Sequence, residues 1–166
     1  MSTANKVGSG SAVAAIKKTI LVDASPALAF QIFTEGHGSW WPIRTHYIGK
    51  VPAQTAILEP RVDGRWYELG QDGSECDWGK VLIWEPPYRL VLAWQIAADW
   101  KFDPNLVAEV EVRFVQEGSK TRVELEHRKL EVFGSAAAKV RAELDGGWLG
   151  ILERFAGTIE QREGNR

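Results

Sequence analysis

The spacing of apolar and polar residues changes along this chain, and the change predicts its architecture. Residues 51–127 alternate with a period of two, and turn signals interrupt them at Asp63-Gly64, Asp72-Gly73, Pro86-Pro87 and Glu117-Gly118. Such alternation between short turns predicts an antiparallel meander of strands with one buried and one wet face.

Three segments show which side chains should point inward. Val110, Val112 and Phe114 alternate with charged residues, as do Val123, Leu125 and His127. In a third segment Trp94 has the same parity as Leu90 and Leu92, so we expect its side chain to point inward. The intervening residues are interpreted as a solvated face of cross-strand charge pairs, formed by Glu109, Glu111, Glu124 and Glu126 with Arg113, Arg122 and Arg128.

The segments before the meander predict a strand and a helix. Residues 16–22 are β-branched and partly alternating, and Ser25-Pro26 then provides a helix N-cap followed by proline. Gly36 should end this helix, and one further turn is expected over residues 37–42. Residues 1–15 have no hydrophobic period and are predicted to be a flexible tail, which leaves residues 16–166 as a single domain.

Helical spacing returns after Arg128. Apolar residues at Phe133, Ala137, Val140 and Leu144 share one face, and the stripe continues through Trp148 to Ile159. Because glycine costs about 1 kcal/mol in a helix interior, Asp145-Gly146-Gly147 predicts a break. A second helix over residues 147–161 is then expected to cover the sheet.

Composition narrows the class of protein. The 166 residues are 45% apolar with a net charge of −2, which suits one globular domain and offers no basic surface for nucleic acid. The single cysteine, Cys76, excludes an internal disulfide, and neither a signal-peptide pattern nor an apolar run long enough to span a membrane is present. We therefore expect a cytoplasmic protein. The spacing of His37, His46 and Cys76 does not indicate a metal site, and no cofactor motif is found.

Several short motifs occur in a characteristic order over residues 16–160. They are Ser25-Pro26, Trp40-Trp41-Pro42, Gly64-Arg65-Trp66-Tyr67, Gly79-Lys80-Val81, Trp84-Glu85-Pro86-Pro87-Tyr88-Arg89-Leu90, Trp94, Leu125-Glu126-His127 and Gly147-Trp148. Their order resembles the START-like (helix-grip, SRPBCC) superfamily, in the branch homologous to the C-terminal domain of the activator of the heat-shock chaperone ATPase. The resemblance implies an α+β helix-grip fold, in which a curved antiparallel sheet wraps around a C-terminal helix.

The same resemblance implies binding of a small hydrophobic or aromatic ligand, lipid-like or polyketide-like, in a cavity between sheet and C-terminal helix. Two alternatives remain open: a cyclase or dehydratase acting on such a ligand, and a co-chaperone like the chaperone ATPase activator. A homodimer is a further hypothesis, because exposed tryptophans such as Trp100 could form a contact.

Strand and helix parity predict which side chains would line the cavity. They are Trp40, Trp41, Tyr67, Trp94, Val112, Phe114, Leu125, His127, Trp148, Leu152 and Phe155. The alternative is a solid core in which the same side chains fill the space. His127 could orient a ligand or transfer a proton, or it could be a core histidine bonded to the backbone.

Overall fold

The computed structural model describes residues 13–164, which form a seven-stranded sheet and three α-helices. The strands are β1 Ile16–Val22, β2 Ala53–Leu58, β3 Arg65–Gly70, β4 Glu75–Glu85, β5 Arg89–Trp94, β6 Ala108–Glu117 and β7 Lys120–Arg128. The helices are α1 Pro26–Thr34, α2 His37–Trp40 and α3 Ala137–Gly164, and a 3-10 segment, Leu130–Ala136, precedes α3.

The sheet is antiparallel throughout, with the strand order β1-β7-β6-β5-β4-β3-β2. Neighbouring strands from β2 to β7 are consecutive in sequence, which confirms the predicted meander and its four turns. The register shifts in β2, β3 and β4 are irregularities of the kind that bend a sheet. The sheet forms a curved half-barrel against the long C-terminal helix, and the expected α+β helix-grip fold is confirmed.

The first helix follows its sequence signals. The hydroxyl of Ser25 accepts a hydrogen bond from the backbone N–H of Leu28 at 3.2 Å, and Pro26 occupies the first turn. The helix ends at Thr34, just before Gly36, and α2 adds one turn as expected.

The predicted break at Asp145-Gly146-Gly147 is wrong, because α3 runs through these residues without interruption. Leu144 before the glycines and Trp148, Ile151, Leu152 and Phe155 after them are buried, and this packing outweighs the low helix propensity of glycine. An ion pair of 3.0 Å between Lys18 and Asp145 also joins β1 to the helix there. The chain instead breaks its helical path at Gly134, whose φ is 60°.

Aromatic side chains fill much of the space between sheet and helices. Phe33 lies at the centre, with its ring centroid 5.3 Å from Phe155, 5.7 Å from Phe114 and 4.8 Å from Trp40. Phe30 joins the group at 5.2 Å from Phe114. This part of the interior is a packed core rather than a cavity.

Residues 1–12 of the expected tail lie outside the described residues. Residues 13–15 belong to no helix or strand, and Arg141 donates hydrogen bonds to the carbonyls of Ala14 at 2.7 Å and Ala15 at 3.3 Å. No helix within residues 13–164 is both long and apolar enough to cross a membrane.

Candidate functional site

Five tryptophans form a connected aromatic cluster between the sheet and α3. Trp66, Trp78 and Trp94 come from three adjacent strands, Trp41 follows α2, and Trp148 lies on α3. The centroids of neighbouring rings are 5.2–6.2 Å apart. We call these five residues the tryptophan cluster.

Each indole N–H of the cluster has a hydrogen-bond acceptor, as buried donors require. The acceptors are the carbonyl of His46 for Trp41 (3.0 Å), His37 Nε2 for Trp66 (3.1 Å), Glu68 Oε1 for Trp78 (2.8 Å), the carbonyl of Ile96 for Trp94 (3.0 Å) and His127 Nδ1 for Trp148 (3.0 Å). These bonds fix the orientation of every ring.

Two buried histidines serve as neutral acceptors. His37 is bonded through Nδ1 to the carbonyl of Phe33 at 2.9 Å, so Nδ1 carries the proton and Nε2 accepts from Trp66. In His127 the bond from Trp148 places the proton on Nε2, which has no hydrogen-bond partner among residues 13–164. Burial lowers the pKa of His37 to about 4 and that of His127 to about 3. Both imidazoles are therefore neutral near pH 7.

Glu68 ties the segment between α2 and β2 to the sheet. Its buried carboxylate accepts hydrogen bonds from Trp78 Nε1 and from the backbone N–H groups of Ile48 at 2.7 Å and Gly49 at 2.9 Å. Three donors satisfy the charge without a basic side chain. Glu68 therefore positions both a ring of the tryptophan cluster and residues 45–48, which we call the mouth segment.

A cavity of about 250 Å³ opens beside the cluster, between the mouth segment, the loop after β5 and one face of α3. Most of its wall is apolar or aromatic. Five of the eight tryptophans of the chain contribute to it: four members of the tryptophan cluster, all except Trp66, together with Trp100. The lining residues are Trp41, Thr45, His46, Tyr47, Ile48, Trp78, Trp94, Ile96, Trp100, Glu143, Leu144, Gly147, Trp148 and Ile151.

The structure brings three of the predicted site residues to this cavity: Trp41, Trp94 and Trp148. Seven others are buried in the core outside its lining: Trp40, Val112, Phe114, Leu125, His127, Leu152 and Phe155. The expected inward orientation is wrong for Tyr67, because successive residues of a strand face opposite sides and its neighbour Trp66 takes the buried one. The guanidinium of Arg65 lies 3.9 Å from the centre of the Tyr67 ring on the outer face.

Sequence reasoning missed most of the lining because much of it comes from loops, which have no hydrophobic period. Helix spacing could have found Leu144 and Ile151, since they lie one turn to either side of Trp148. His127 was expected either to act on a ligand or to bond to the backbone, and it instead accepts from the side chain of Trp148.

The polar groups of the cavity lie at its exposed end. Thr45 Oγ1 is 2.7 Å from His46 Nδ1, and Tyr47 and Glu143 add a phenol and a carboxylate. Trp100, with a φ of 63°, forms part of the rim and is 42% exposed. Within residues 13–164 no group of three or more His, Cys, Asp or Glu side chains could hold a metal ion. Such a site can bury flat apolar rings and bind their polar substituents at the mouth.

The model of one protein family matches most of this chain. The family described as "Activator of Hsp90 ATPase homolog 1-like protein" has a model that matches residues 23–160. No curated protein matches the chain significantly.

Solved structures resemble the chain over most of its length. An anthrahydroquino-gamma-pyrone synthase, Txn09, complexed with SUM, is 40% identical, with 89% of this chain and 97% of that chain covered and a TM-score of 0.63. The self-sacrificing resistance protein CalC from Micromonospora echinospora is 33% identical over 89% and 95%, with a TM-score of 0.67. An Aha1 dimer from Colwellia psychrerythraea is 16% identical over 89% and 97%, with a TM-score of 0.62, and this likeness concerns the fold alone.

Proposed function

The chain belongs to the family of activator of Hsp90 ATPase homolog 1-like proteins, and from this premise we propose that it binds a small planar aromatic molecule, of polyketide type, in the cavity beside the tryptophan cluster. The observation that carries the proposal is that five of eight tryptophans line one cavity. Four of these five, Trp41, Trp78, Trp94 and Trp148, donate hydrogen bonds from their indole nitrogens. The orientation of these rings is therefore fixed before a ligand binds.

The size of the cavity favours a compact ligand over a long one. Its volume of about 250 Å³ is close to the lower end of the usual range for small-molecule sites, roughly 300–1,000 Å³. A few fused rings suit this space better than an extended acyl chain. The polar side chains at the exposed end would bind hydroxyl or carbonyl substituents of such rings.

The relatives support an aromatic ligand. Txn09, at 40% identity, is named as an anthrahydroquino-gamma-pyrone synthase, a name that describes chemistry on fused aromatic rings. We extend to this chain the ligand class and not the individual compound.

Titration with 1,4-dihydroxyanthraquinone would test the proposal. We expect saturable quenching of tryptophan fluorescence and a Kd of about 1–100 µM by calorimetry. Palmitate, an extended acyl chain, should bind at least about tenfold more weakly if shape governs the site. Absence of saturable binding by the quinone would refute the proposal.

Paired tryptophan variants would localise the binding. Trp94→Leu removes a lining ring and should weaken quinone binding by about tenfold. The matched control is Trp84→Leu, because Trp84 packs on Phe30 at 5.0 Å and does not line the cavity. Equal losses in both folded variants would place the ligand elsewhere.

A second candidate function is proton transfer on the bound ligand, as in a cyclase. The observation that favours it is the Thr45–His46 pair at the mouth. Since Thr45 engages Nδ1, the other ring nitrogen of His46, Nε2, would take a hydroxyl proton as the ligand oxygen adds to a carbonyl carbon. The phenol of Tyr47 would give a proton to the carbonyl oxygen, the proton taken by His46 would pass back to Tyr47 through solvent, and no oxidant is required. His127 does not suit this role, because it does not line the cavity and its Nδ1 already accepts from Trp148.

Turnover of a polyketide bearing a phenol and a nearby carbonyl would distinguish catalysis from binding. His46→Gln and Thr45→Val should abolish ring closure and leave the Kd of the quinone within about threefold. Ring closure at the rate of the unmodified protein in both variants would exclude His46 as the base.

Two partner hypotheses from the sequence remain predictions. The similarity to the Aha1 dimer extends to the fold alone, so neither a homodimer nor chaperone ATPase activation follows from it. Light scattering would measure the oligomeric state, and an ATPase assay with the chaperone would measure activation.

A further inference from the structure

A single glycine occupies the middle of the helix wall of the cavity. The face of α3 that lines the cavity consists of Glu143, Leu144, Gly147, Trp148 and Ile151. Gly147 is the central member of this stripe, with one turn of lining residues before it and one after it. The wall therefore has a gap in its side-chain surface at its centre.

The local structure of Gly147 does not require glycine. Its φ lies outside the left-handed region, and a Cβ placed on it would meet no heavy atom within 4 Å. Because alanine has a higher helix propensity by about 1 kcal/mol, alanine would stabilise α3 at this position. Unlike Gly146 and Gly150, which are equally unobstructed, Gly147 borders the cavity, so its missing side chain leaves space open there.

That space is part of the cavity. A side chain at residue 147 would lie beside those of Leu144, one turn before it, and Ile151, one turn after it, on the helix face that borders the cavity. Without a side chain, the flat peptide backbone of the helix is exposed there. A planar ring can lie against such a surface at van der Waals distance, as it can against another ring.

We propose that Gly147 is a specificity-determining residue that keeps the cavity wide enough for a fused three-ring aromatic ligand to lie against the backbone of α3. This inference rests on the proposed function, since it concerns the same cavity. It adds a preference for ring number: ligands with two rings leave the space over Gly147 partly empty, and ligands with three rings fill it.

The chain contains matched controls for this residue. Gly146 and Gly150 lie in the same helix, their Cβ atoms would also meet no heavy atom within 4 Å, and neither lines the cavity. Alanine at either position should therefore raise helix stability as Gly147→Ala does, without reducing the space for a ligand.

The test compares Gly147→Ala, Gly147→Leu and Gly150→Ala by calorimetry with 1,4-dihydroxyanthraquinone and 1-naphthol. Gly147→Leu should weaken binding of the three-ring quinone by about tenfold or more, and Gly147→Ala by about threefold. Binding of 1-naphthol should change by less than about twofold, and Gly150→Ala should leave both affinities unchanged. Both alanine variants should raise Tm by about 2–4 °C, which shows that they fold.

The outcomes separate this inference from the proposed function. If the unmodified protein binds neither probe, the proposed function fails and this inference fails with it. If the unmodified protein binds the quinone and the folded Gly147 variants bind it equally well, only the role of Gly147 is overturned. Equal weakening of both probes would likewise overturn the ring-number preference.

Discussion

The indole nitrogen of Trp148 donates a 3.0 Å hydrogen bond to Nδ1 of His127, and both side chains are buried. The bond joins α3 to strand β7 and fixes His127 as a neutral imidazole protonated on Nε2. Trp66 and His37 form the equivalent pair at 3.1 Å. Two of the three histidines of the chain therefore stabilise the positions of tryptophans.

These two pairs predict that the protein loses stability in mild acid. The pKa is lowered to about 4 in His37 and about 3 in His127, so below pH 6.5 the unfolded chain binds two protons that the folded chain does not. The free energy of unfolding should then fall with decreasing pH, by up to about 1.4 kcal/mol per pH unit for each histidine. Above pH 6.5 both histidines are neutral in both states, and the slope vanishes.

Urea denaturation between pH 7 and pH 5 would measure this slope. His127→Gln and His37→Gln should each reduce it by about one proton, and the double variant should reduce it by about two. Glutamine retains an acceptor for the tryptophan N–H. A slope that stays unchanged in the double variant would contradict the assignment of the histidines.

We expect Glu68 to affect both the stability of the protein and the position of the mouth segment. Glu68→Gln replaces one carboxylate oxygen with an NH₂ group, so at least one N–H loses its acceptor: that of Gly49 if Oε2 is replaced, or those of Ile48 and Trp78 if Oε1 is. Loss of a buried acceptor should lower the free energy of unfolding by about 1–3 kcal/mol.

Hydrogen exchange would show where this loss acts. The amides of Ile48 and Gly49 should exchange faster in Glu68→Gln, and quinone binding should weaken because residues 45–48 line the cavity. The control is Glu124→Gln, which changes a half-exposed carboxylate on the outer face of the sheet. Unchanged protection at residues 48 and 49 would show that Glu68 does not hold the mouth segment.

On the outer face of the sheet, Glu111 should make stability depend on pH in a lower range than the two histidines do. Glu111 is buried beneath Arg89, Arg113 and Arg128, all of which pair with its carboxylate. Burial alone raises the pKa of Glu111, but the hydrogen bonds from Arg89 and Arg128 and the charges of Arg128 and Arg113 lower it below its ordinary value. This contribution to stability is complete above about pH 4.5 and is lost as the pH falls below it.

Glu111→Gln should lower the free energy of unfolding at pH 7 by about 2 kcal/mol. This is less than for a fully buried pair, because the side chains of Arg89 and Arg128 remain 25% exposed. The matched change Glu117→Gln alters a carboxylate that is 49% exposed and should change stability by less than about 0.5 kcal/mol. Equal effects in urea denaturation would show that the arginines do not form a cooperative network around Glu111.

The sequence predicts the sheet well because period-two alternation reports burial directly. Val112, Leu125 and Trp94 are buried as their parity requires. Alternation fails where two adjacent aromatic residues compete for one face, as Trp66 and Tyr67 do, since either parity is compatible with the composition. The interpretation of the outer face as solvated also fails at Glu111, because burial there comes from arginines on neighbouring strands.

Two features could not be predicted from local sequence: the continuity of α3 and the lining of the cavity. Glycine propensity predicted a break at Gly146-Gly147, whereas the packing of Trp148 and its neighbours keeps α3 continuous. Cavity residues such as Tyr47 and Trp100 come from loops, and only the fold brings them to Trp41 and Trp148. Tertiary contacts decide both features.

We expect the substitution Trp100→Asn to affect protein stability and ligand binding in opposite directions. The φ of Trp100, 63°, is unfavourable for a bulky side chain, and asparagine adopts this conformation more readily. Because the ring is 42% exposed, Trp100→Asn removes little buried area. We therefore expect the free energy of unfolding to stay constant or rise by up to about 1 kcal/mol.

Quinone affinity should instead fall by about threefold to tenfold, since Trp100 forms part of the cavity wall. Trp100→Phe separates the two effects: it keeps an aromatic wall and the strained backbone, so affinity should be largely retained and stability should not rise. Thermal unfolding and calorimetry on both variants would measure the two quantities. If Trp100→Asn loses stability and keeps its affinity, the ring contributes to folding and not to the ligand site.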